Sequence, residues 1–249
     1  MEKINTSEDT SKFYDDLMKG KSVQTFFTKD SRFNVKKLLE KKNIHIYFDE
    51  VIKQYINSND VILDYGCGPG TFLIKMSRLT KNKLFGVDLS EEFIKECNEN
   101  IKDLKIQNIT VSTVQPEKLP FDNEQFDTIL LMDVIHHLDD INQNLKEIHR
   151  VLKKDGKLIV FEPNKLNPLI WLTHLIDKNE RGLLNVGTLD KYNKILNNFH
   201  LKIIHHRYSG IVIGPSSKIF DLLSSILNYK LIYPILGWFN PKIMLVAKK

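Results

Sequence analysis

One stretch constrains the chain more than any other: Val61-Ile62-Leu63-Asp64-Tyr65-Gly66-Cys67-Gly68-Pro69-Gly70. Val61-Ile62-Leu63 reads as a buried strand ending at an acid. Three alternate glycines follow, and Thr71-Phe72-Leu73-Ile74-Lys75-Met76 then begins a helical pattern. Glycine has no Cβ and reaches positive φ at little cost, so a ligand can come close to such a turn. The helix start beyond it offers free N–H groups. Dinucleotide-binding folds place a pyrophosphate at a turn of this kind, but with the spacing G-x-G-x-x-G. Here the spacing is G-x-G-x-G with an acid two residues ahead. A carboxylate there suits a ligand bearing an amine and repels a phosphate.

From residue 60 the pattern alternates strand and helix. Strands are predicted at Val61–Tyr65, Lys83–Val87, Ile109–Val114, Phe126–Met132 and Lys157–Phe161. A helix runs from Thr71 to about Leu79. Ser90 caps the next, with Glu91 and Glu92 in its first turn where the helix dipole favours them and Phe93, Ile94 and Cys97 facing inward. Another spans Ile141–Leu152 and ends at Lys153-Lys154-Asp155-Gly156, a basic last turn with glycine beyond. Phe126–Met132 is the near-continuous apolar run that parallel sheets bury on both faces. The alternation implies a parallel sheet covered by helices. Ligands in such sheets sit at strand carboxyl ends, near the reversal of strand order. The glycine turn, Asp88, Gln115, Asp133 and Glu162 all fall at such ends, so they should surround one crevice.

The flanks read differently. Residues 1–58 are polar and helix-prone, with Phe13, Tyr14, Leu17 and Met18 on one face, a helix at Val35–Leu39 and another at Ile44–Ile56. They are expected to form a helical lid or substrate cap, distinct from a main domain at 59–249. After Glu162, Pro163-Asn164-Lys165-Leu166-Asn167-Pro168 is a turn-rich link. A short apolar helix over Leu169–Ile176 contains Trp171, and a helix over Leu189–Leu196 follows the polar hinge Lys178-Asn179-Glu180-Arg181-Gly182. His200–Tyr208 and Lys242–Ala247 look like strands. Segments 163–198 and 211–239 are read as substrate-side helical insertions. The second is strongly apolar but interrupted by Pro215, Lys218, Asp221, Lys230 and Pro234. It suits an amphipathic hairpin that covers a pocket, lies on a membrane surface or meets a second copy in a homodimer.

A formal charge of +5 over 249 residues permits an anionic partner or membrane surface. No basic run interleaved with aromatics argues for nucleic acid. Cys67 and Cys97 lack metal-ligand spacing, and His205-His206 point to opposite faces of a strand, so no metal site is expected. Met1–Asp9 has no apolar core and no stretch approaches about 20 apolar residues, so neither a signal peptide nor a spanning helix is expected. The expected location is cytoplasmic, with membrane association through 211–239.

With these motifs together, the chain resembles class I S-adenosylmethionine-dependent methyltransferases, closest to the small-molecule branch that includes quinone and lipid methyltransferases. The resemblance rests on Val61–Gly70, Gly86-Val87-Asp88-Leu89-Ser90, Glu117-Lys118-Leu119-Pro120-Phe121, Phe126-Asp127-Thr128-Ile129-Leu130 through His136-His137-Leu138, and Arg150-Val151-Leu152-Lys153-Lys154-Asp155-Gly156. It covers about 45–162 well and the flanks only vaguely. It implies a Rossmann-like, doubly wound, seven-stranded, mostly parallel sheet, with the apolar insertion before the last strand. It implies S-adenosylmethionine as cofactor and S-adenosylhomocysteine as product.

Residue by residue, the resemblance places Asp64 and the backbone of Gly66 and Gly68 at the methionine part, within a turn that also contains Cys67 and Gly70. Asp88 would accept both ribose hydroxyls, Leu89 would pack on the adenine, and Met132 and Asp133 would close over the methionyl side. Where the family often has Asp-Ala-Glu this chain has Gln115-Pro116-Glu117. Gln115 can still accept from the adenine amine, but Pro116 has no N–H to donate, so adenine contacts should be weaker or rearranged. His136, His137 and Glu162 are the candidate bases for a hydroxyl or acidic-carbon acceptor. Each also has a structural reading: a cap or packed imidazole for the histidines, a loop-fixing hydrogen bond for Glu162. The expected reaction is methyl transfer to a small or lipid-linked acceptor. A polar metabolite or sugar is the alternative, and an inactive cofactor-binding subunit serving a partner is the rival from another class.

Overall fold

A computed structural model describes residues 6–22, 32–41, 48–49, 54–78, 80–115, 118–209, 222, 225–227 and 229–249. Most of the expected 44–56 helix, Pro116, Glu117 and much of 211–239 lie outside these residues.

Seven strands form one sheet in the order β3-β2-β1-β4-β5-β7-β6. They are β1 (Ile62–Tyr65), β2 (Leu84–Asp88), β3 (Ile109–Thr113), β4 (Phe126–Met132), β5 (Leu152–Pro163), β6 (Lys202–Ser209) and β7 (Lys242–Lys248). β1 to β5 run parallel, while β7 inserts antiparallel between β5 and β6. The order reverses between β1 and β4, so a crevice opens beyond Tyr65 and Met132, where such sheets bind ligands.

Helices cover both faces. α1 (Ser7–Met18) and α2 (Val35–Leu39) precede the sheet, α3 (Thr71–Ser77) follows β1, α4 (Glu91–Asp103) follows β2 and α5 (Ile141–Val151) follows β4. On one face Leu63, Ile129, Leu131 and Leu158 pack with Leu145, Ile148 and Val151 of α5. On the other, Ile62, Leu84, Leu130 and Ile159 pack with Phe72, Leu73 and Met76 of α3. β4 is buried along almost its whole length, as its unbroken apolar run requires. Ser90 caps α4 through Phe93 N, 3.1 Å away, and Glu91 and Glu92 occupy the first turn.

One boundary differs from the pattern reading. α5 stops at Val151 and β5 begins at once with Leu152, so Lys153–Asp155 belong to the strand rather than to a last helical turn. The register between β4 and β5 shifts there, from Phe126 opposite Leu152 to Thr128 opposite Lys157. Gly156 is not a helix cap. It serves close packing, because a Cβ on it would lie 2.7 Å from Leu152 Cδ1.

The segment after β5 holds α6 (Pro168–Ile176), a 3-10 turn at Lys178–Glu180, α7 (Leu183–Val186) and α8 (Leu189–Asn197). Asn167 caps α6 by accepting from Leu169 N and Ile170 N, and Pro168 fills a first-turn position that needs no N–H. A last short helix, α9 (Tyr233–Leu236), precedes β7.

Candidate active site

The floor of the crevice is the glycine turn. Gly66, Gly68 and Gly70 all have positive φ, at 79°, 52° and 91°. Gly66 is needed for space as well as for conformation, since a Cβ there would lie 2.5 Å from Val134 Cγ2. A Cβ at Gly68 would meet nothing within 4 Å, so this glycine presents open backbone toward the cavity. Gly70 caps α3 and packs against Cys97. Cys67 is buried under the turn, its thiol pushed up by Cys97 and by burial, as befits a small packed residue.

Asp88 ends β2 with its carboxylate oriented by the backbone: Gly68 N donates to Oδ2 at 2.8 Å and Ser90 N to Oδ1 at 2.9 Å. Burial raises this carboxyl to about 6 despite those donors. Asp64, at the end of β1, is almost fully buried, and among the described residues neither carboxylate oxygen has a hydrogen-bond partner. Burial, and then the charge of Asp88, raise it to about 8. A buried carboxylate without donors is costly unless a ligand supplies them. Asp64 lies one residue behind the cavity wall that Tyr65 and Gly66 form.

The cavity between turn and roof is lined by Gly66–Pro69, Phe72, Asp88, Leu89, Phe93, Met132, Asp133, His137 and Leu138, and from the N-terminal residues by Thr10, Ser11, Tyr14, Arg32 and Phe33. α1 is fastened across it. Ser11 Oγ donates to Leu89 O at 3.0 Å, Ser90 Oγ donates to Asp15 Oδ1 at 2.5 Å, and Ser7 N donates to Asp139 Oδ2 at 2.9 Å. Phe33 and Tyr14 stack against Phe93, with ring centroids 4.9 and 5.4 Å away.

At the far end the wall is charged. Asp133 takes a left-handed φ of 58° and pairs with Lys242. Burial would raise its carboxyl, but Lys242, with His136 and Arg32, outweighs burial and holds it below its usual range. Glu162 is fully buried and does not face the cavity. Its Oε1 accepts from Val134 N at 2.7 Å and Ile135 N at 2.8 Å, and its Oε2 from His136 Nδ1 at 2.6 Å. The geometry is that of a loop-fixing carboxylate, holding the turn that carries the two histidines.

His136 is buried between Glu162 and Glu180, which outweigh desolvation and raise it to about 9. His137 does face the cavity, with Tyr14 Oη 3.2 Å from its Nε2, and burial together with the charge of His136 lowers it to about 3. Glu180 meets Arg32 Nη1 at 2.6 Å in a buried ion pair that ties the roof to the 3-10 turn Lys178–Glu180.

Of the residues singled out in the sequence, the structure gathers Gly66, Cys67, Gly68, Asp88, Leu89, Met132, Asp133 and His137 around one cavity. His136 and Glu162 stand behind its wall. Gln115 does not reach it; with Leu89 and Asp139 it lines a separate groove on the outer side of α1, because α1 lies between the two. Tyr14, Arg32, Glu180 and Lys242 join the site with little signal in the sequence: Tyr14 shows there only as part of an apolar face, and no local pattern distinguishes the other three from surface charges.

Residues 56–201 match a family model described as a methyltransferase domain. The chain belongs to this methyltransferase-domain family, and its sheet order and glycine turn give it the fold of the class I S-adenosylmethionine-dependent methyltransferases. Among curated proteins it is 33% identical over 127 residues to the ubiquinone/menaquinone biosynthesis C-methyltransferase UbiE of Rickettsia massiliae, covering 49% of this chain and 51% of that protein. The UbiE of Rickettsia bellii matches over the same span at the same identity. The chain thus spans about half the length of the curated relatives it matches. A S-adenosylmethionine-dependent methyltransferase from Aquifex aeolicus shares the fold with a TM-score of 0.61 at 17% identity, over 86% of this chain and 96% of that one. Geranyl diphosphate C-methyltransferase from Streptomyces coelicolor, solved with Mg2+, geranyl diphosphate and S-adenosylhomocysteine, does so with 0.58 at 16%, over 82% and 78%.

The residues present fit that cofactor. Asp64 offers two oxygens without donors among the described residues for an ammonium, Asp88 is held by the backbone with lone pairs left for ribose hydroxyls, and Gly68 leaves room for close approach. When bound, S-adenosylmethionine supplies a methyl already activated as a sulfonium.

Proposed function

We propose that the chain methylates a small, largely apolar acceptor of the hydroquinone or lipid-linked type, with the N-terminal residues as the lid of the site. The observation that carries this reading is the composition of the cavity beyond the glycine turn. Phe33, Phe72, Phe93, Met132 and Leu138 give it apolar walls, and Tyr14, His137 and Arg32 stand at one end. A flat ring with one polar edge suits such walls, and its oxygen would be held by the Tyr14 hydroxyl and His137. The UbiE relatives, C-methyltransferases of quinone biosynthesis by name, support the same class of acceptor.

Asp64, Asp88 and the backbone of the glycine turn would hold S-adenosylmethionine, which would supply the methyl, and the acceptor would give up a proton on taking it. The protein's part is alignment and exclusion of water. Of the three candidate groups, His137 is the one on the cavity wall, so it is the one assigned to the acceptor. His136 and Glu162 are assigned to positioning the loop that carries it.

The lipid-linked version draws on a patch outside the cavity. Leu169, Trp171, Leu172, Leu175 and Ile176 of α6, with Leu231, Ile235 and Trp238 near α9, are exposed large apolar residues. Among the described residues no helix is long and apolar enough to cross a membrane. The patch suits lying on a surface. Turnover against short-chain naphthohydroquinones, prenylated hydroquinones and soluble sugars, together with flotation on anionic liposomes, tests both layers. Methylation of the hydroquinones is expected. Exclusive methylation of polar acceptors would refute the apolar assignment, and calorimetry showing no binding of S-adenosylmethionine would remove the reading altogether.

A further inference from the structure

We propose that His136, His174 and Glu180 form a binding site for one first-row divalent cation of the zinc class, behind the wall of the cofactor cavity. The three are buried, and one ligand atom from each lies within 4.8 Å of the others. His136 Nε2 is 3.2 Å and His174 Nε2 is 3.6 Å from the same oxygen, Oε2 of Glu180. Ligand atoms around a tetrahedral zinc, with bonds of about 2.0–2.1 Å, are separated by about 3.3–3.4 Å. The two measured separations bracket that value.

The remaining ring nitrogens are anchored as a metal site requires. His174 Nδ1 is 2.8 Å from Ile170 O, and a carbonyl only accepts, so Nδ1 carries the hydrogen and Nε2 of the neutral ring presents a lone pair to Glu180. His136 Nδ1 donates in the same way to Glu162 Oε2 at 2.6 Å, and Glu162 is itself held by two backbone N–H groups. A histidine ligand whose other nitrogen is tied to a carboxylate or carbonyl is the usual outer-shell arrangement at a metal. Once His136 gives up its Nε2 hydrogen, two ring lone pairs converge on one carboxylate oxygen, and a cation fits between them. A proton on His136 alone would satisfy its contact with Glu180 and leave the His174 contact acceptor against acceptor.

The backbone makes the approach possible. A Cβ on Gly182 would sit 1.8 Å from His136 O, so only glycine lets the Glu180–Gly182 segment press against the histidine turn. Two imidazoles and a carboxylate at this spacing select a small ion with borderline ligands over calcium or magnesium, which take oxygen ligands. Among the described residues, Arg32 on Glu180 Oε1, His137 Nε2 at 3.5 Å from Oε2, Glu162 on His136 and the charge of Lys242 acting on His174 also face the site. A bound ion would cross-link the 3-10 turn Ile135–His137, α6 and the turn Lys178–Glu180, fixing the wall from which His137 faces the cavity.

The test uses full-length, tag-free protein stripped with chelator and titrated with Zn2+ by calorimetry and with Co2+ by visible absorption, without S-adenosylmethionine, so that its outcome is independent of the methyl-transfer reading. One equivalent of Zn2+ and the d–d bands of four- or five-coordinate Co2+ are expected. His174→Ala, at a residue outside the cofactor cavity, should weaken Zn2+ binding by more than the roughly 10–100-fold that an outer-shell partner is worth. Circular dichroism confirms that this variant is folded, and His174→Gln provides a second, less disruptive variant. Absence of stoichiometric Zn2+ and Co2+ binding by the wild-type chain would overturn the site and leave a buried imidazolium in its place. Binding unchanged in both His174 variants would equally overturn it.

Discussion

Lowering the pH from 8 to 6 should weaken S-adenosylmethionine binding roughly 50-fold, and the reason lies in two carboxylates. In the free protein Asp64 keeps its proton up to about 8 and Asp88 up to about 6. Recognition of an ammonium and of ribose hydroxyls requires both to be ionised, so each divides the observed affinity by one plus the ratio of its protonated to ionised forms. For Asp64 that divisor rises from about 2 at pH 8 to about 100 at pH 6, and for Asp88 from about 1 to about 2. The ligand's α-amino group, which ordinarily titrates near 7.7–8.0, returns roughly a factor of 2 in the opposite direction. The net loss of roughly 50-fold corresponds to about 2.3 kcal/mol.

Calorimetry at pH 7 in two buffers of different ionisation enthalpy should show release of roughly 0.9 proton per ligand bound, almost all from Asp64. Asp64→Asn should bind more weakly at pH 8 and lose most of the pH dependence. The stability of the free protein supplies a second check with a defined sign. Asp64 has a folded-state value above its unfolded one, so its contribution is fully present below about 4 and is lost as pH rises toward about 8. The stability of Asp64→Asn relative to wild type should therefore grow with pH over that window. Equal wild-type affinity at pH 6 and pH 8, with no net proton release, would refute the assignment of Asp64 to the ammonium.

Gly66→Ala places a Cβ at positive φ and 2.5 Å from Val134 Cγ2, so it should fold but bind S-adenosylmethionine at least roughly tenfold more weakly, as calorimetry would show. Arg32→Met breaks the buried pair with Glu180 and should cost about 3 kcal/mol in urea unfolding, whereas a loss below about 1 kcal/mol would mark the pair as solvated. Trp171→Glu combined with Leu175→Glu, both on the exposed apolar side of α6, should leave the melting temperature within a few degrees of wild type and abolish flotation with anionic liposomes. Unchanged flotation would place the membrane contact elsewhere or nowhere.

What the sequence displayed and what it hid divide along a physical line. The glycine turn, the Ser90 cap with its acidic first turn and the apolar run of β4 are legible because each is decided by residues within about a turn or a strand of one another. The convergence of Asp64, Asp88, Asp133 and the histidine loop follows from the rule that parallel strands present their carboxyl ends together, so a crevice assembled from distant residues could still be inferred. The start of β5 is hidden because Lys153-Lys154-Asp155-Gly156 satisfies the local signature of a helix end. The pairing of Leu152 with Phe126 on a neighbouring strand, which local signals do not contain, overrides it.

The roof belongs to neither class. Tyr14 meets His137 across 123 positions and Arg32 meets Glu180 across 148, with no fold rule to bring them together. The apolar residues of both segments bury elsewhere, Val35 and Leu39 against Ile74, and Val186, Tyr192 and Leu196 in the core of one sheet face, and their polar residues meet over the crevice. The N-terminal residues and the wall are thus linked: Arg32 pairs with Glu180, and Glu180 lies against His136. On the proposed function, acceptor specificity falls to these residues. Exchanging Tyr14 or Arg32 should accordingly change which acceptor is methylated more than it changes the affinity for S-adenosylmethionine, whose proposed contacts lie at the strand ends, and acceptor-dependent kcat/KM measured beside cofactor binding would separate the two.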